Sequence, residues 1–316
     1  MDGNLILMRK IFIYSIIAPL FFIGTHIETN AQQVAMYSQY MFNNFMLNPA
    51  YAGSRRAFST SLSYRNQWTG IDGSPNTSSF SLHSGIAGKR VGLGLNVLTD
   101  EIGPSSSTIA MGTYAYHLPF SKGKLSMGLR AGIYNFKFDP MTLDFKNPDY
   151  LQNSAQERGI IPSFDFGIYY YTYNLYVGVS STHITQNEKS HFSNEDYLHL
   201  LRHYIAIAGY AYPISNNLVL KPSTMVKYVD GAPLSVDLNM SCLINKKLWL
   251  GVSYRSSNNL VWITELNIAQ FIRIGYSYDF GFNQLQKYSN GSHELFLGAD
   301  FKLKKIDTPG RDTRYF

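Results

Sequence analysis

Polar and apolar residues alternate one by one over most of this chain. Residues 234–242 read LSVDLNMSC, so the apolar side chains stand at even positions and the polar ones at odd positions. Residues 124–133, 272–281 and 294–303 repeat this alternation. Successive side chains of a β-strand point to opposite faces, so a period of two predicts strands with one polar and one apolar face.

The alternating runs are about ten residues long, which is typical of tilted strands that cross a membrane. Turn-forming residues separate them, for example Ser121-Lys122-Gly123 and Ser257-Asn258-Asn259. We expect an all-β fold: a single antiparallel transmembrane β-barrel of about fourteen strands over residues 57–303. The polar stretches Pro140 to Ile161 and Thr185 to His199 are predicted surface loops. The alternative is a soluble β-sandwich, whose strands are typically shorter, about 5–6 residues.

Composition favours membrane strands over membrane helices. Charged residues make up 15% of the chain, below the roughly 25% usual for soluble domains. No apolar run of about 20 residues occurs in the body of the chain. The net charge of +6 is dispersed, apart from a basic tail at residues 304–316, so we expect no nucleic-acid partner. The one cysteine, Cys242, excludes an intrachain disulfide and a cysteine-rich metal site.

Residues 1–31 have the order of a secretory signal peptide. The basic pair Arg9-Lys10 precedes an apolar stretch, residues 11–24, and we expect cleavage after Ala31. The start codon stays open between Met1 and Met8. A membrane anchor is the competing interpretation, but the apolar run is short and no positively charged stop follows it. We therefore expect export to the outer membrane.

The charged face of the strands predicts a charged interior. A charged side chain at the bilayer midplane costs about 2–4 kcal/mol, so this face should point into the barrel lumen. The expected lumen charges are Arg65, Arg130, Asp237, Arg255, Glu265, Arg273, Asp279 and Glu294. Their mixed sign favours an interior knitted by ion pairs, although an open pore remains the alternative. Trp68, Tyr116, Tyr212, Trp249 and Trp262 are candidates for the aromatic girdles at the membrane interfaces, or are ordinary strand-forming aromatics.

The segment before the first strand, residues 32–56, lacks the alternation. Tyr40, Asn43, Asn44 and Leu47 fall at helical spacing, and Asn48-Pro49 would end a helix. We expect a plug-like segment inside the lumen, with a periplasmic arm as the alternative.

Several motifs of the chain resemble one protein family. They are Tyr37-Ser38-Gln39-Tyr40-Met41-Phe42-Asn43, Asn48-Pro49-Ala50-Tyr51-Ala52-Gly53, Arg65-Asn66-Gln67-Trp68, Tyr254-Arg255, Gly275-Tyr276-Ser277-Tyr278-Asp279 and Gly291-Ser292-His293-Glu294. In order and spacing they resemble the PorP/SprF family of Bacteroidota along almost the whole mature chain. The resemblance marks Tyr37, Gln39, Tyr40, Phe42, Asn43, Asn48, Pro49, Tyr51 and Gly53 as motif residues of the N-terminal segment.

The resemblance implies an outer-membrane protein of type IX secretion and gliding. Its expected partners are a secreted adhesin, bound through a type B C-terminal sorting domain and retained at the cell surface, other components of the apparatus, and outer-membrane lipid. The resemblance implies neither catalysis nor a cofactor. The alternative function is a passive or selective channel.

Sequence motifs of enzymes are missing. The chain has no G-x-S-x-G elbow and no H-E-x-x-H pair. Ser292-His293-Glu294 resembles a catalytic triplet, but neighbours on a strand point to opposite faces and cannot form a triad by themselves. No metal-ligating cluster is evident, so we expect no catalytic residues and no metal.

Overall fold

The computed structural model describes residues 36–55, 57–86, 90–142, 156–186, 188–191, 196–269, 271–282 and 284–301. The expected signal peptide and the basic tail lie outside the described residues. The strands are β1 (Phe58–Asn66), β2 (Asn76–Ile86), β3 (Val91–Ile102), β4 (Ser105–Phe120), β5 (Gly123–Phe138), β6 (Glu157–Tyr171), β7 (Leu175–Thr182), β8 (Glu188–His191), β9 (Asp196–His199), β10 (His203–Tyr210), β11 (Tyr212–Ser215), β12 (Leu218–Val229), β13 (Ser235–Ile244), β14 (Leu248–Arg255), β15 (Asn259–Asn267), β16 (Ile272–Gly281) and β17 (Ser292–Phe301).

These strands form a closed antiparallel barrel, which confirms the predicted fold class. Each barrel strand pairs with its neighbours along the chain, and β1 pairs with β17, so that Arg65 stands opposite Glu294. β11 continues the line of β10 beside β12, and the barrel therefore has 14 strands. β8 and β9 form a separate hairpin. Closure leaves no open sheet edge, which a spanning sheet requires in lipid.

Alternation sorts the side chains into an inner and an outer face. On β13, Asp237 and Asn239 are buried, whereas Leu238 and Met240 are half exposed. One girdle candidate proves wrong: Trp249 is buried in the interior. It shares the phase of Arg255 along β14, and both side chains therefore point inward.

The two ends of the barrel differ in their connections. The chain enters β1 and leaves β17 at the end with short turns, such as residues 121–122 and 216–217. The opposite end carries the longer connections, among them residues 67–75 and 282–291. Barrels of this type have short periplasmic turns and longer extracellular loops. The end with the longer connections is therefore the extracellular one.

The two predicted loops lie at the extracellular end but contain regular structure. The first is shorter than expected, because β6 already begins at Glu157. The second holds the β8–β9 hairpin. Within the described ranges, no helix has the length and apolar character needed to span a membrane.

Candidate functional site

The described residues that precede Arg56 lie inside the barrel. Residues 36–55, called the inner segment below, form three short helical turns, Tyr40–Phe42, Asn44–Leu47 and Pro49–Tyr51. Met41 and Phe45 are 0% exposed. Asn48 separates the last two turns, and its side-chain oxygen accepts a 2.9 Å hydrogen bond from the Ala50 amide. The barrel wall thus covers the aromatic side chains of the inner segment.

Five charged residues surround the N-terminal end of the inner segment. This outer charge cluster consists of Arg65, Asp237, Arg255, Asp279 and Glu294, each buried on the inner face of its strand. Arg65 Nη2 lies 2.7 Å from Asp279 Oδ2, and Arg255 Nε lies 2.8 Å from Asp237 Oδ1. Arg255 Nη1 also lies 3.4 Å from Asp279, which links the two pairs.

The inner segment completes this cluster. The Ser38 amide donates to Glu294 Oε2 at 2.7 Å, and the Ser38 hydroxyl donates to Asp279 Oδ1 at 2.7 Å. The Gln39 side-chain amide donates to the Glu294 carbonyl at 3.1 Å. Buried ions stay ionised only when attraction and additional hydrogen bonds offset their lost hydration. The segment therefore supplies part of the solvation that the cluster has lost.

Two cations hold the middle of the segment by its carbonyl groups. Arg130 donates to the carbonyls of Phe45 and Met46, and its guanidinium carbon lies 5.1 Å from the Phe45 ring centroid. Lys221 Nζ donates to the Met41 carbonyl at 3.2 Å. Carbonyl groups that find no partner within the short helical turns thereby receive donors from the barrel wall.

Lys221 also lies between two aromatic rings. Its Nζ is 5.5 Å from the Phe42 centroid and 5.2 Å from the Trp249 centroid. The two rings themselves are 5.9 Å apart. A cation above a ring face is attracted by the ring quadrupole, most strongly when both are desolvated. Trp249 is therefore part of the wall surface on which the inner segment packs.

Glycines on the wall make room for the segment. A Cβ on Gly128 would collide with the backbone of Ala50, and a Cβ on Gly167 with the Asn48 side chain. Asn48 Nδ2 reaches the strand backbone through this gap and donates to the carbonyls of Ile168 at 3.0 Å and Val179 at 3.1 Å. The wall and the Asn48-Pro49-Ala50 motif are therefore complementary in shape and in hydrogen bonding.

A second group of charges holds the C-terminal end of the segment. This periplasmic charge cluster consists of Arg55, Glu265, Arg273 and Asp300. Arg55 Nη1 lies 2.8 Å from Asp300, and Arg273 Nη1 lies 3.3 Å from Glu265. Arg55 Nε also donates to the Tyr51 hydroxyl at 2.9 Å. The inner segment is thus held by hydrogen bonds to buried carboxylates at its N-terminal end and by the Arg55–Asp300 ion pair at its C-terminal end.

The remaining motif residues also face the wall. Asn43 Nδ2 donates to the Ser61 hydroxyl at 2.8 Å. Gly53, with φ +75°, packs against Gly85 and Gly92. A Cβ at Gly92 would meet the Ala52 carbonyl. Tyr37 and Tyr40 are buried as well.

A comparison with protein-family models identifies the chain. The model described as type IX secretion system membrane protein PorP/SprF matches residues 29–299. The chain belongs to the PorP/SprF family. It is therefore a type IX secretion barrel of the outer membrane, and the predicted family and location are confirmed. The family and the fold are those of a secretion membrane protein rather than of an enzyme.

Solved structures with a similar fold are outer-membrane proteins. The toluene transporter TbuX of Ralstonia pickettii has 10% sequence identity and a TM-score of 0.50, over 89% of this chain and 96% of that one. A FadL homologue of Pseudomonas aeruginosa has 11% identity and a TM-score of 0.49, over 90% of this chain and 100% of that one. At such identity the TbuX likeness shows the barrel fold alone. No curated protein sequence matches this PorP/SprF chain.

The sequence of this PorP/SprF chain did not reveal several residues that hold the inner segment. The residues are Arg55, Lys221, Asp300 and Trp249, the last of which was expected at a membrane interface. Asp165 was also missed, and it reaches the segment only through its ion pair with Arg130. Lys221 and Asp300 share the phase of the inner faces of β12 and β17, so alternation was a usable signal. Arg55 lies outside the strands, and the sequence carried no signal for its contact with Asp300.

The triplet Ser292-His293-Glu294 is divided between two sides of the wall. Ser292 and Glu294 are buried inside. His293 lies on the outer face, where its Nδ1 is 2.8 Å from the Tyr276 hydroxyl. The described residues contain no group of three or more His, Cys, Asp and Glu side chains suited to a metal ion.

Proposed function

We propose that this barrel binds the C-terminal sorting domain of a secreted adhesin and retains it at the cell surface. The observation that carries the proposal is the seated inner segment, which is buried in the interior and tied to the wall at both ends. A barrel filled in this way suits a stationary anchor, because its interior is committed to the protein's own chain.

The channel alternative receives less support. Its requirement is a continuous water path, yet the inner segment occupies the interior between the outer and the periplasmic charge clusters. Arg65, Asp279 and Glu294 are at most 4% exposed, whereas charges that line a water-filled pore stay hydrated. An anchor does not need such a path.

The direct test is affinity purification of the tagged protein from native outer membranes, followed by mass spectrometry. The expected result is enrichment of a large secreted protein that carries a C-terminal sorting domain, together with other type IX secretion components. An unrelated outer-membrane porin, purified from the same membranes, is the control. Enrichment of no secreted protein over that control would contradict the proposal.

A second test measures retention on cells. In a strain without the protein, the adhesin should appear in the medium instead of on the cell surface, and the wild-type chain should restore its retention. Unchanged surface retention in the strain without the protein would argue against an anchoring role.

A further inference from the structure

The direction in which the inner segment runs is set by its contacts. Its N-terminal end lies beside Arg255, whose Nη1 is 3.8 Å from Met36 Sδ and whose Nη2 donates to the Tyr37 carbonyl at 3.4 Å. Arg255 is the last residue of β14, at the extracellular end of the barrel. Ser38, two residues further on, contacts Asp279 near the extracellular end of β16.

The other end of the segment lies at the opposite end of the barrel. Arg55 contacts Asp300, next to the last residue of β17, where that strand reaches the periplasmic end. The Ala52 carbonyl accepts a 2.8 Å hydrogen bond from His117 Nε2, near the periplasmic end of β4. The chain then turns and enters β1 at Phe58.

An arm that reached into the lumen from the periplasm would show the reverse order. Its N-terminal end would contact the periplasmic charge cluster or lie on the periplasmic side of that cluster. The described contacts instead pair the earliest residues, Met36 to Ser38, with the extracellular ends of the strands.

The extracellular loops after β1 and before β17 are joined to each other by hydrogen bonds. The Thr69 amide donates to the Gly291 carbonyl at 2.8 Å, and the Asn290 amide donates to the Thr69 carbonyl at 2.7 Å. The Trp68 amide donates to the Ser292 hydroxyl at 3.1 Å. The loops after β1 and before β17 therefore form one connected surface over the outer charge cluster.

We infer that the inner segment is threaded through the barrel from the extracellular end to the periplasmic end, so that Met36 belongs to the extracellular mouth. The mouth then consists of the N-terminal end of the inner segment and the hydrogen-bonded loops after β1 and before β17. An extracellular protein that docks at the mouth contacts both. This threading goes beyond the proposed function, because it holds whether or not an adhesin binds.

The test is cysteine labelling on intact cells, in a Cys242→Ser background that removes the one native thiol. The probe is a maleimide coupled to a polyethylene glycol too large to pass porins. Met36→Cys is compared with Tyr288→Cys, in the extracellular loop before β17, and with Lys246→Cys, in the periplasmic turn after β13. We expect Met36→Cys and Tyr288→Cys to be labelled on intact cells, and Lys246→Cys only after the outer membrane is permeabilised.

Labelling of Met36→Cys only after permeabilisation would overturn the inference. If Met36→Cys is labelled under neither condition, the pair Ser38→Cys with Asp279→Cys decides. A disulfide between these positions, seen as a reducible mobility shift, supports threading to the extracellular end, and its absence in the folded barrel contradicts it. None of these readouts involves an adhesin, so they are distinguishable from failure of the proposed function.

Discussion

Arg65 on the first strand and Asp279 on the sixteenth form a 2.7 Å ion pair inside the barrel, and Ser38 of the inner segment donates to the same carboxylate. One carboxylate thus joins two strands of the wall to the chain that fills it. Both charged side chains are nearly fully buried. The attraction between them therefore offsets the hydration that each has lost.

Breaking this pair should destabilise the barrel. Arg65→Met leaves Asp279 and Glu294 short of a buried cation, and removal of one partner of a buried pair costs about 3–5 kcal/mol. The measurement is thermal unfolding in detergent, which is monitored by the heat-modifiable mobility of the barrel on gels. Lys137→Ala is the matched control, because Lys137 is 41% exposed in its pair with Asp139 and such pairs contribute about 0–1 kcal/mol. Equal melting of the two variants would show that the buried pair is dispensable.

The facing of β13 predicts opposite responses at adjacent positions. Leu238 is 51% exposed toward lipid and Asn239 is buried inside. Leu238→Arg should impair membrane assembly, since a charge on the lipid face costs about 2–4 kcal/mol near the midplane. Asn239→Ala loses interior hydrogen bonds to Ser223 and Ser241, at about 1–3 kcal/mol, and should still assemble. The assay is the heat-modifiable fraction of each variant in outer membranes. A larger loss of this fraction for Asn239→Ala than for Leu238→Arg would contradict the assignment of Leu238 to the lipid face.

The close approach at Gly128 predicts a steric effect on the inner segment. Gly128→Ala places a Cβ against the Ala50 backbone, and such overpacking costs about 1–3 kcal/mol. Gly112→Ala is the matched control, because its Cβ would have only the Ala131 carbonyl, at 4.0 Å, as a neighbour. We expect lower thermal stability and faster proteolysis of the inner segment in Gly128→Ala alone. Indistinguishable stability of the two variants would mean that the segment does not seat against β5.

Asn48 provides a nearly isosteric test of the hydrogen bonds. Asn48→Asp replaces the donor that serves the Ile168 and Val179 carbonyls with a buried carboxylate oxygen. An unmatched buried group costs about 1–3 kcal/mol, and more when it is charged. Asn258→Asp, in an exposed turn with φ 59°, is the control, since aspartate tolerates that conformation. Chemical denaturation should separate the two variants, with loss of stability only at Asn48.

The barrel could be predicted from the sequence because a closed sheet has one face toward lipid and one toward the lumen, and the alternation of apolar and polar residues matches these two faces. Charged residues in phase along a strand can face only the lumen, and Asp237 and Asp279 are buried there. Pairing between distant strands, such as Arg65 with Asp279, depends on the register of the closed sheet. No local pattern carries that information.

The apolar part of the interior could not be predicted in the same way. Val261 and Ile263 point inward on β15, in phase with Glu265, while Trp262 points to lipid. An apolar residue fits either against lipid or against the inner segment, so its type does not reveal its side. Only the shared phase with Glu265, or a known position of the inner segment, assigns these residues to the core.

The central claim is that the inner segment fills the barrel, and planar-bilayer conductance tests it most directly. The purified wild-type protein should show no steady open channel, whereas deletion of Gln39 to Leu47 should produce a stable conductance in a barrel that still shows heat-modifiable folding. A wild-type protein with steady, porin-like conductance, unchanged by this deletion, would contradict the claim.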